Sequence, residues 1–209
     1  MLQSLYTAAN AIDTYKSSLL TTANNVANIN TPYYKSNSLQ LASLKQGGIS
    51  VSSIRQNQSQ AYTITSGRTL DFVIAGPGQF RLNQDGQDYF TRKGIFYVDG
   101  QWSLVDSDGR VLLDNVVQPG ETASQVQVDD RGNVMVGDKV RGKIDIYDAY
   151  GNKMTEDQYQ LKSGEVEASD VDTAKEVVNM LVAQKATLAN YTVVRTNDEM
   201  LGLIVNLVG

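Results

Sequence analysis

LQSLYTAANAIDTYKSSLLTTANNVANINTP, residues 2–32, places Leu5, Ile12, Leu19 and Val26 seven residues apart, with Leu2, Ala9 and Ala23 beside them. A repeat averaging 3.5 residues lines those side chains along one stripe of a helix, the spacing used by coiled-coil packing. The stretch predicts a helix over 3–29, about 40 Å long at about 1.5 Å per residue. Thr31-Pro32 closes it, because the residue before proline is pushed out of helical space. The rest of its surface holds Asn10, Thr14, Ser17, Ser18, Thr21, Thr22, Asn24, Asn25 and Asn28, and only Asp13 and Lys16 as charges. Serine, threonine and asparagine are mediocre helix formers, so the segment alone is marginal. A neutral face of hydroxyls and amides suits contact with protein on several sides.

The other end of the chain answers it. Ala174, Val177, Leu181, Leu188 and Tyr191 follow the same three-four spacing, and Val194, Leu201, Ile204 and Val208 carry it on after a one-residue slip. An offset of three overwinds a supercoil without ending it. A helix of roughly 36 residues follows, about 54 Å long, with Ser169 and Asp172 as a capping pair. A chain with adhesive helices at both termini reads as a self-assembling subunit.

Between the helices the period changes to two. Leu70, Phe72 and Ile74 alternate with their neighbours, as do Phe80 and Leu82, Phe96 and Val98, and Trp102 and Leu104. Gly76-Pro77-Gly78, Asp85-Gly86, Asp99-Gly100, Asp108-Gly109, Pro119-Gly120 and Arg131-Gly132-Asn133 punctuate them. Short alternating runs with tight turns predict an antiparallel β domain. Leu70, Phe72, Phe80, Phe90, Phe96, Trp102 and Leu104 are expected to share its core, with Gly94 where a side chain would clash or φ is positive. The fold expected is α+β, with long N- and C-terminal coiled-coil helices packed together and an inserted antiparallel β barrel or sandwich. Its parts are an assembly helix in 1–35, a connector rich in Ser and Gln in 36–60, the β domain in 61–168 and a second assembly helix in 169–209, which pairs with 1–30.

Composition narrows the function. With a net charge of -5 over 209 residues, there is no basic stripe to release counterions from a nucleic acid. Cysteine and histidine are both absent, which removes disulfides, thiolate sites, the commonest general base and the commonest metal ligand. No signal peptide and no run of about 20 apolar residues is expected, hence no membrane insertion. Asp106-Ser-Asp108-Gly109 lacks the ligand spacing of a calcium loop and reads as a hairpin turn. Gly76-Pro77-Gly78 lacks the third glycine and helix of a dinucleotide fingerprint. Glu165 and Glu167 read as residues of a solvated strand or loop. Arg92 is either a ligand anchor or the hydrogen-bonding brace of a turn. No enzyme activity and no cofactor are expected.

Particular strings then carry a resemblance. Ala23-Asn-Asn-Val-Ala-Asn-Ile-Asn-Thr31 followed by Tyr34-Lys35 resembles the N-terminal signature of the bacterial flagellar rod and hook proteins. The stretch from Gly67 to Phe80 and Phe90-Thr91-Arg92-Lys-Gly94-Ile-Phe96 resemble strings of their β domain. Val171–Met180 and Thr196–Leu201 resemble their C-terminal helix signature. Tyr33 stands where that family usually has glycine.

The resemblance implies a subunit exported through the flagellar secretion channel. Such a subunit is extracytoplasmic in the basal body and assembles into a torque-transmitting helical tube with itself and neighbouring rod or hook proteins. The export apparatus and the surrounding ring proteins are further partners it implies. Room for one β domain favours a rod protein over the hook protein. The expected assembly interface is Leu5, Ile12, Leu19, Val26, Asn24, Asn25, Asn28, Asn30, Leu181, Leu188, Tyr191, Val194, Leu201 and Ile204. The alternative from another class is a secreted β-domain adhesin trimerised by its coiled coil. It leaves the family strings, and the presence of a stripe at both ends, unexplained.

Overall fold

The computed structural model describes residues 2–45, 47–118, 121 and 125–208, so the Pro119-Gly120 turn lies outside the described residues. The chain divides into two compact units, Met1–Gln60 with Ser169–Gly209, and Ala61–Ala168.

In the first unit, helix α1 spans Leu2–Ala27 and α2 spans Thr173–Val208. The segment expected to be a connector forms a hairpin, β1 (Asn37–Ser43) against β2 (Ile49–Gln56), with a bulge between Gln40 and Leu41. Where the hairpin meets α1, the Thr14 hydroxyl lies 2.8 Å from the Asn10 carbonyl and 3.1 Å from the Ile49 carbonyl, its one proton shared between them. Helix α1 stops four residues before Thr31, through successive i→i+3 bonds to the carbonyls of Asn25, Val26 and Asn28. Tyr33 follows at φ 61°, a left-handed conformation, which gives the physical reason glycine suits this position. At the start of α2 the cap is Asp172, whose Oδ1 accepts the Lys175 N–H at 3.1 Å. Ser169 instead takes the Val171 N–H just before the helix.

The second unit is built of small antiparallel sheets. β3 (Thr63–Thr65) pairs with the last strand, Glu165–Glu167, and β4 (Phe72–Ala75) pairs with Gln160–Ser163. In a larger sheet β5 (Gln79–Gln84) has β6 (Gln87–Thr91) beside it. The same sheet holds β7 (Tyr97–Val98), β8 (Leu104–Val105), β9 (Val111–Leu113) and the strand Ile146–Tyr147. β10 (Val126–Val128), β11 (Asn133–Val136) and β12 (Lys139–Lys143) form a separate three-stranded sheet. Among the described residues no sheet closes into a barrel. Strands of two to six residues are too short to wrap around one core, so several sheets enclose it together.

Leu70, Phe72, Phe80, Phe96 and Leu104 are buried in that core beside Ile74, Leu82, Val126, Val134, Ile144 and Ile146. Phe96 packs edge-on to Phe80 at 5.4 Å and tilted against Phe72 at 5.9 Å. Phe90 and Trp102 are not in the core; they are 42 % and 39 % exposed. Register explains Phe90. Phe80 and Leu82 face inward, so their partners Thr91 and Tyr89 do too, and Phe90 opposite Arg81 faces out. Turn geometry explains Trp102, as follows.

Four loops share one construction: Asp99–Ser103, Asp106–Arg110, Asp129–Asn133 and Asp148–Asn152. In each, the aspartate Oδ1 accepts the N–H groups two and four residues on, at 2.8–3.0 Å. In each, the aspartate carbonyl accepts the N–H three residues on, and its own N–H donates to the carbonyl four on. The fourth residue is left-handed: Trp102, Gly109, Gly132 and Gly151 have φ of 66°, 79°, 87° and 82°. This is a type I turn with a bulge, sealed by the aspartate side chain. The Asp-Gly pairs in the sequence are therefore of two kinds. Asp85-Gly86, with φ 54° and 82°, is a two-residue hairpin loop, whereas Asp108-Gly109 is the end of a turn begun at Asp106. Asp99-Gly100 is the beginning of one.

The sister turns differ in their surroundings. A Cβ on Gly109 meets nothing within 4 Å, whereas one on Gly132 falls 2.4 Å from the Ile144 carbonyl oxygen. Gly109→Ala is expected to cost about 1 kcal/mol, the left-handed penalty alone. Gly132→Ala is expected to cost clearly more, because backbone must move. Urea unfolding of the two variants checks this, and equal costs would rule out the steric difference.

The turn aspartates also make the β unit acid-sensitive. Burial pushes the Asp129 carboxyl up, but hydrogen bonds from the Asn133 side chain and from the Asn133 and Arg131 backbone outweigh it, so its pKa is lowered. At Asp148 the Asn152 side chain is the largest cause, aided by backbone N–H groups, and the pKa is again lowered. A carboxyl depressed on folding stabilises above its unfolded value of about 3.9, and that stability is lost as pH falls through the folded value. The urea midpoint is expected to fall below about pH 4. An Asp129→Asn/Asp148→Asn double variant, whose amide oxygens still accept, is expected to show a flatter fall. An unchanged fall would place the acid sensitivity elsewhere.

Candidate assembly interface

The helices of the first unit run antiparallel, and two side-chain hydrogen bonds join them. Asn25 Nδ2 donates to Glu176 Oε1 at 3.0 Å, and Ser4 Oγ donates to Asn197 Oδ1 at 3.2 Å. Positions 4 and 25, and positions 176 and 197, are each twenty-one residues apart, three heptads on either helix. Between them α1 turns inward Ala8, Ala11, Tyr15, Ser18 and Thr22, and α2 turns inward Met180, Ala183, Thr187, Asn190 and Val194. The intrachain seam thus mixes small and polar side chains with Tyr15, Met180 and Val194.

The apolar stripes that the heptad count singles out lie one position round from this seam. On α1, Leu5, Ile12, Leu19 and Val26 are half-buried. On α2, Leu181, Leu188 and Tyr191 are 51 %, 66 % and 61 % exposed, in line with Val177 and beside Val178 and Val182. Val194 is half-buried on the inward seam, and Leu201 and Ile204, which continue that seam's spacing, are exposed. The Val208 side chain lies outside the described residues. The slip after Tyr191 is therefore a step from the outward stripe to the inward one, not a distortion of a single supercoil.

The asparagines separate in role. Asn24 and Asn30 are exposed. Asn28 is half-buried at the helix end: it donates to the Asn24 carbonyl at 2.9 Å and accepts the Thr31 hydroxyl. Asn25 is buried. Sequence periodicity missed Glu176 and Asn197, because polar residues at inward positions do not register in an apolar count.

The strings in the β unit prove to be braces. Arg92 donates to the carbonyls of Gly78, Ile74 and Gly76 at 2.9–3.1 Å, bracing the Gly76-Pro77-Gly78 turn. Arg68 donates to the Phe96 carbonyl, pairs with the buried Asp71 at 3.3 Å and lies over the Tyr97 ring. Glu167 is buried, not solvated, and accepts the Ala61 N–H at 2.8 Å; Glu165 is half-buried and lies 3.9 Å from Lys162. Among the described residues no helix is long and apolar enough to cross a membrane.

These features define a subunit that presents an exposed apolar stripe on one of two paired terminal helices. The family model described as the flagellar hook protein FlgE/F/G D1 domain matches residues 73–136. The one described as the flagellar basal body rod FlgEFG protein C-terminal matches 162–207. The chain is 28% identical to the flagellar basal-body rod protein FlgG of Bacillus subtilis over 262 aligned positions, which cover 99% of each chain. It is 26% identical to FlgG of Borreliella burgdorferi, again over 99% of each. It is 34% identical to the flagellar hook protein FlgE of Salmonella typhimurium over 95 residues, 43% of this chain and 24% of that one. The chain belongs to the bacterial flagellar rod and hook protein family.

Proposed function

We propose that the chain is a structural subunit of the flagellar basal-body rod that self-assembles through its terminal helices. The observation that carries this is the outward stripe of α2: Val177, Leu181, Leu188 and Tyr191 are exposed on a helix whose adjacent face is already paired. A contiguous apolar stripe on a soluble unit marks a protein contact. Burying one such side chain contributes about 1.5–3 kcal/mol, and the contact repeats at every subunit. A contact between this stripe and a different surface of the next copy is heterologous and propagates into a filament instead of closing a dimer.

Length supports rod over hook. The rod relatives align from end to end, whereas alignments to hook proteins reach only 48% and 24% of their length. The three-four spacing on both inward faces supports reading the helix pair as a short antiparallel coiled coil. The partners proposed are copies of this chain and neighbouring rod or hook proteins. The place proposed is the extracytoplasmic, cell-wall-spanning part of the basal body, reached through the flagellar export apparatus, with the surrounding rings as further contacts. Work of this kind needs no reacting group; repeated dry interfaces transmit torque.

Negative-stain imaging of the concentrated full chain tests the reading. Tubes or short rods are expected. Discrete stalked trimers, or monomers at every concentration, would overturn it.

A further inference from the structure

We infer that Asn25 and Glu176 are the residues that set the register of the helix pair. Asn25 is 1 % exposed and Glu176 6 %. All four hydrogen-bonding positions of the Asn25 amide are filled: Nδ2 donates to the Asn37 carbonyl at 2.8 Å and to Glu176, while Oδ1 accepts the Asn37 N–H at 3.0 Å and the Tyr34 hydroxyl at 3.2 Å. The second oxygen of Glu176 accepts from Asn179 at 3.4 Å. One side chain therefore ties α1 to α2 and to the first strand of the hairpin.

The rest of the seam specifies register less sharply: its one other helix-to-helix hydrogen bond comes from the exposed Ser4, and beside Tyr15, Met180 and Val194 it is built of small residues. Ala8, Ala11, Ser18 and Thr22 face Ala183, Thr187 and Asn190, and small residues present a similar surface after a slide of one heptad. A slide one way would bring Ala183 opposite Asn25 and leave its amide without the carboxylate; a slide the other way would bring Ser18 opposite Glu176 and leave the carboxylate without the Asn25 amide, which is unfavourable. A single buried polar residue in an otherwise permissive seam is a known means of specifying alignment. Here it also fixes the height at which Val177, Leu181, Leu188 and Tyr191 are presented. That consequence rests on the assembly reading; the register itself does not.

The chain has no cysteine, so cross-links report register cleanly. In the full chain, Ser18→Cys with Ala183→Cys probes the native register. Ala11→Cys with Ala183→Cys, and Ser18→Cys with Asn190→Cys, probe slides of one heptad in the two directions. In the native background only the first pair is expected to oxidise. In an Asn25→Leu/Glu176→Leu background at least one slid pair is expected to cross-link to a yield comparable with the native pair, with helical circular dichroism retained. Exclusive native cross-linking in that background would overturn the inference. So would loss of the helical signal, because the pair would then support folding and not alignment. Glu176→Gln, whose amide oxygen still accepts from Asn25, is expected to keep the native register alone; slid cross-links there would overturn the geometry proposed. All readouts are made on dilute monomer, so failure to form rods does not bear on them.

Discussion

Gly94→Ala is expected to unfold the β unit outright. A Cβ at Gly94 would lie 1.8 Å from the Phe72 carbonyl oxygen and 3.1 Å from the Phe80 ring. The contact is with backbone, so no rotamer change relieves it. The Gly94 carbonyl also accepts the Phe72 N–H at 2.7 Å, and Phe96 two residues on donates its N–H to Leu70, so the two segments cannot separate without breaking both bonds. The cost is expected to exceed that of Phe96→Ala, itself about 3–5 kcal/mol for an emptied aromatic site. Thermal unfolding of the full chain, followed by the near-ultraviolet signal of the single tryptophan, reads both variants. A Gly94→Ala midpoint above that of Phe96→Ala would mean that the Phe72 carbonyl can yield, and that glycine is not required there.

Leu188→Asp is expected to abolish rod formation while leaving the monomer's unfolding curve unchanged. Leu188 is 66 % exposed, so an aspartate there meets water in the free chain and an apolar surface in the assembled one. Burying an unpaired carboxylate costs several kcal/mol at each interface, and the loss repeats with every subunit added. Ala183→Asp is the contrasting variant. Ala183 is 2 % exposed on the inward seam, so a charge there is expected to unpair the helices within one chain. Sedimentation and helical circular dichroism of the two variants separate the faces. If Leu188→Asp assembled normally, the outward stripe would not be the contact surface. If it lost helix as Ala183→Asp does, the faces would be assigned the wrong way round.

Much of the architecture was legible because periodicity is a backbone property. Apolar spacing of three and four over residues 2–29 and 174–208 needs no partner to imply a helix, and alternation at Leu70, Phe72 and Ile74 needs none to imply a strand. The strings around Gly94 and Arg92 were legible as important, though their role as braces was not. Arg92 had two readings until its guanidinium was seen to meet three carbonyls. Phe90 and Trp102 were misplaced for local reasons: one depends on cross-strand register, the other on where an aspartate turn begins. The recurring Asp-x-x-Gly signal for that turn is present at Asp106, Asp129 and Asp148, and at Asp99 the glycine position is held by Trp102.

The candidate interface divides along the same line. Its side chains could be named from the sequence, because an apolar stripe is a count along one chain. Which stripe faces inward could not, because adjacent stripes on a helix are about 100° apart and a count treats both as core. The choice is made by groups distant in sequence. Asn25 needs Asn37, Tyr34 and Glu176 around it, and once that buried amide is satisfied the helix can turn only one way. Residue spacing by itself determined two terminal helices and a β domain between them; the family came from the resemblance of particular strings. Tertiary packing alone decided that the stripe carrying Asn25 and Glu176 closes the helix pair and that the apolar stripe of α2 stays exposed, since a buried polar group must find its partners.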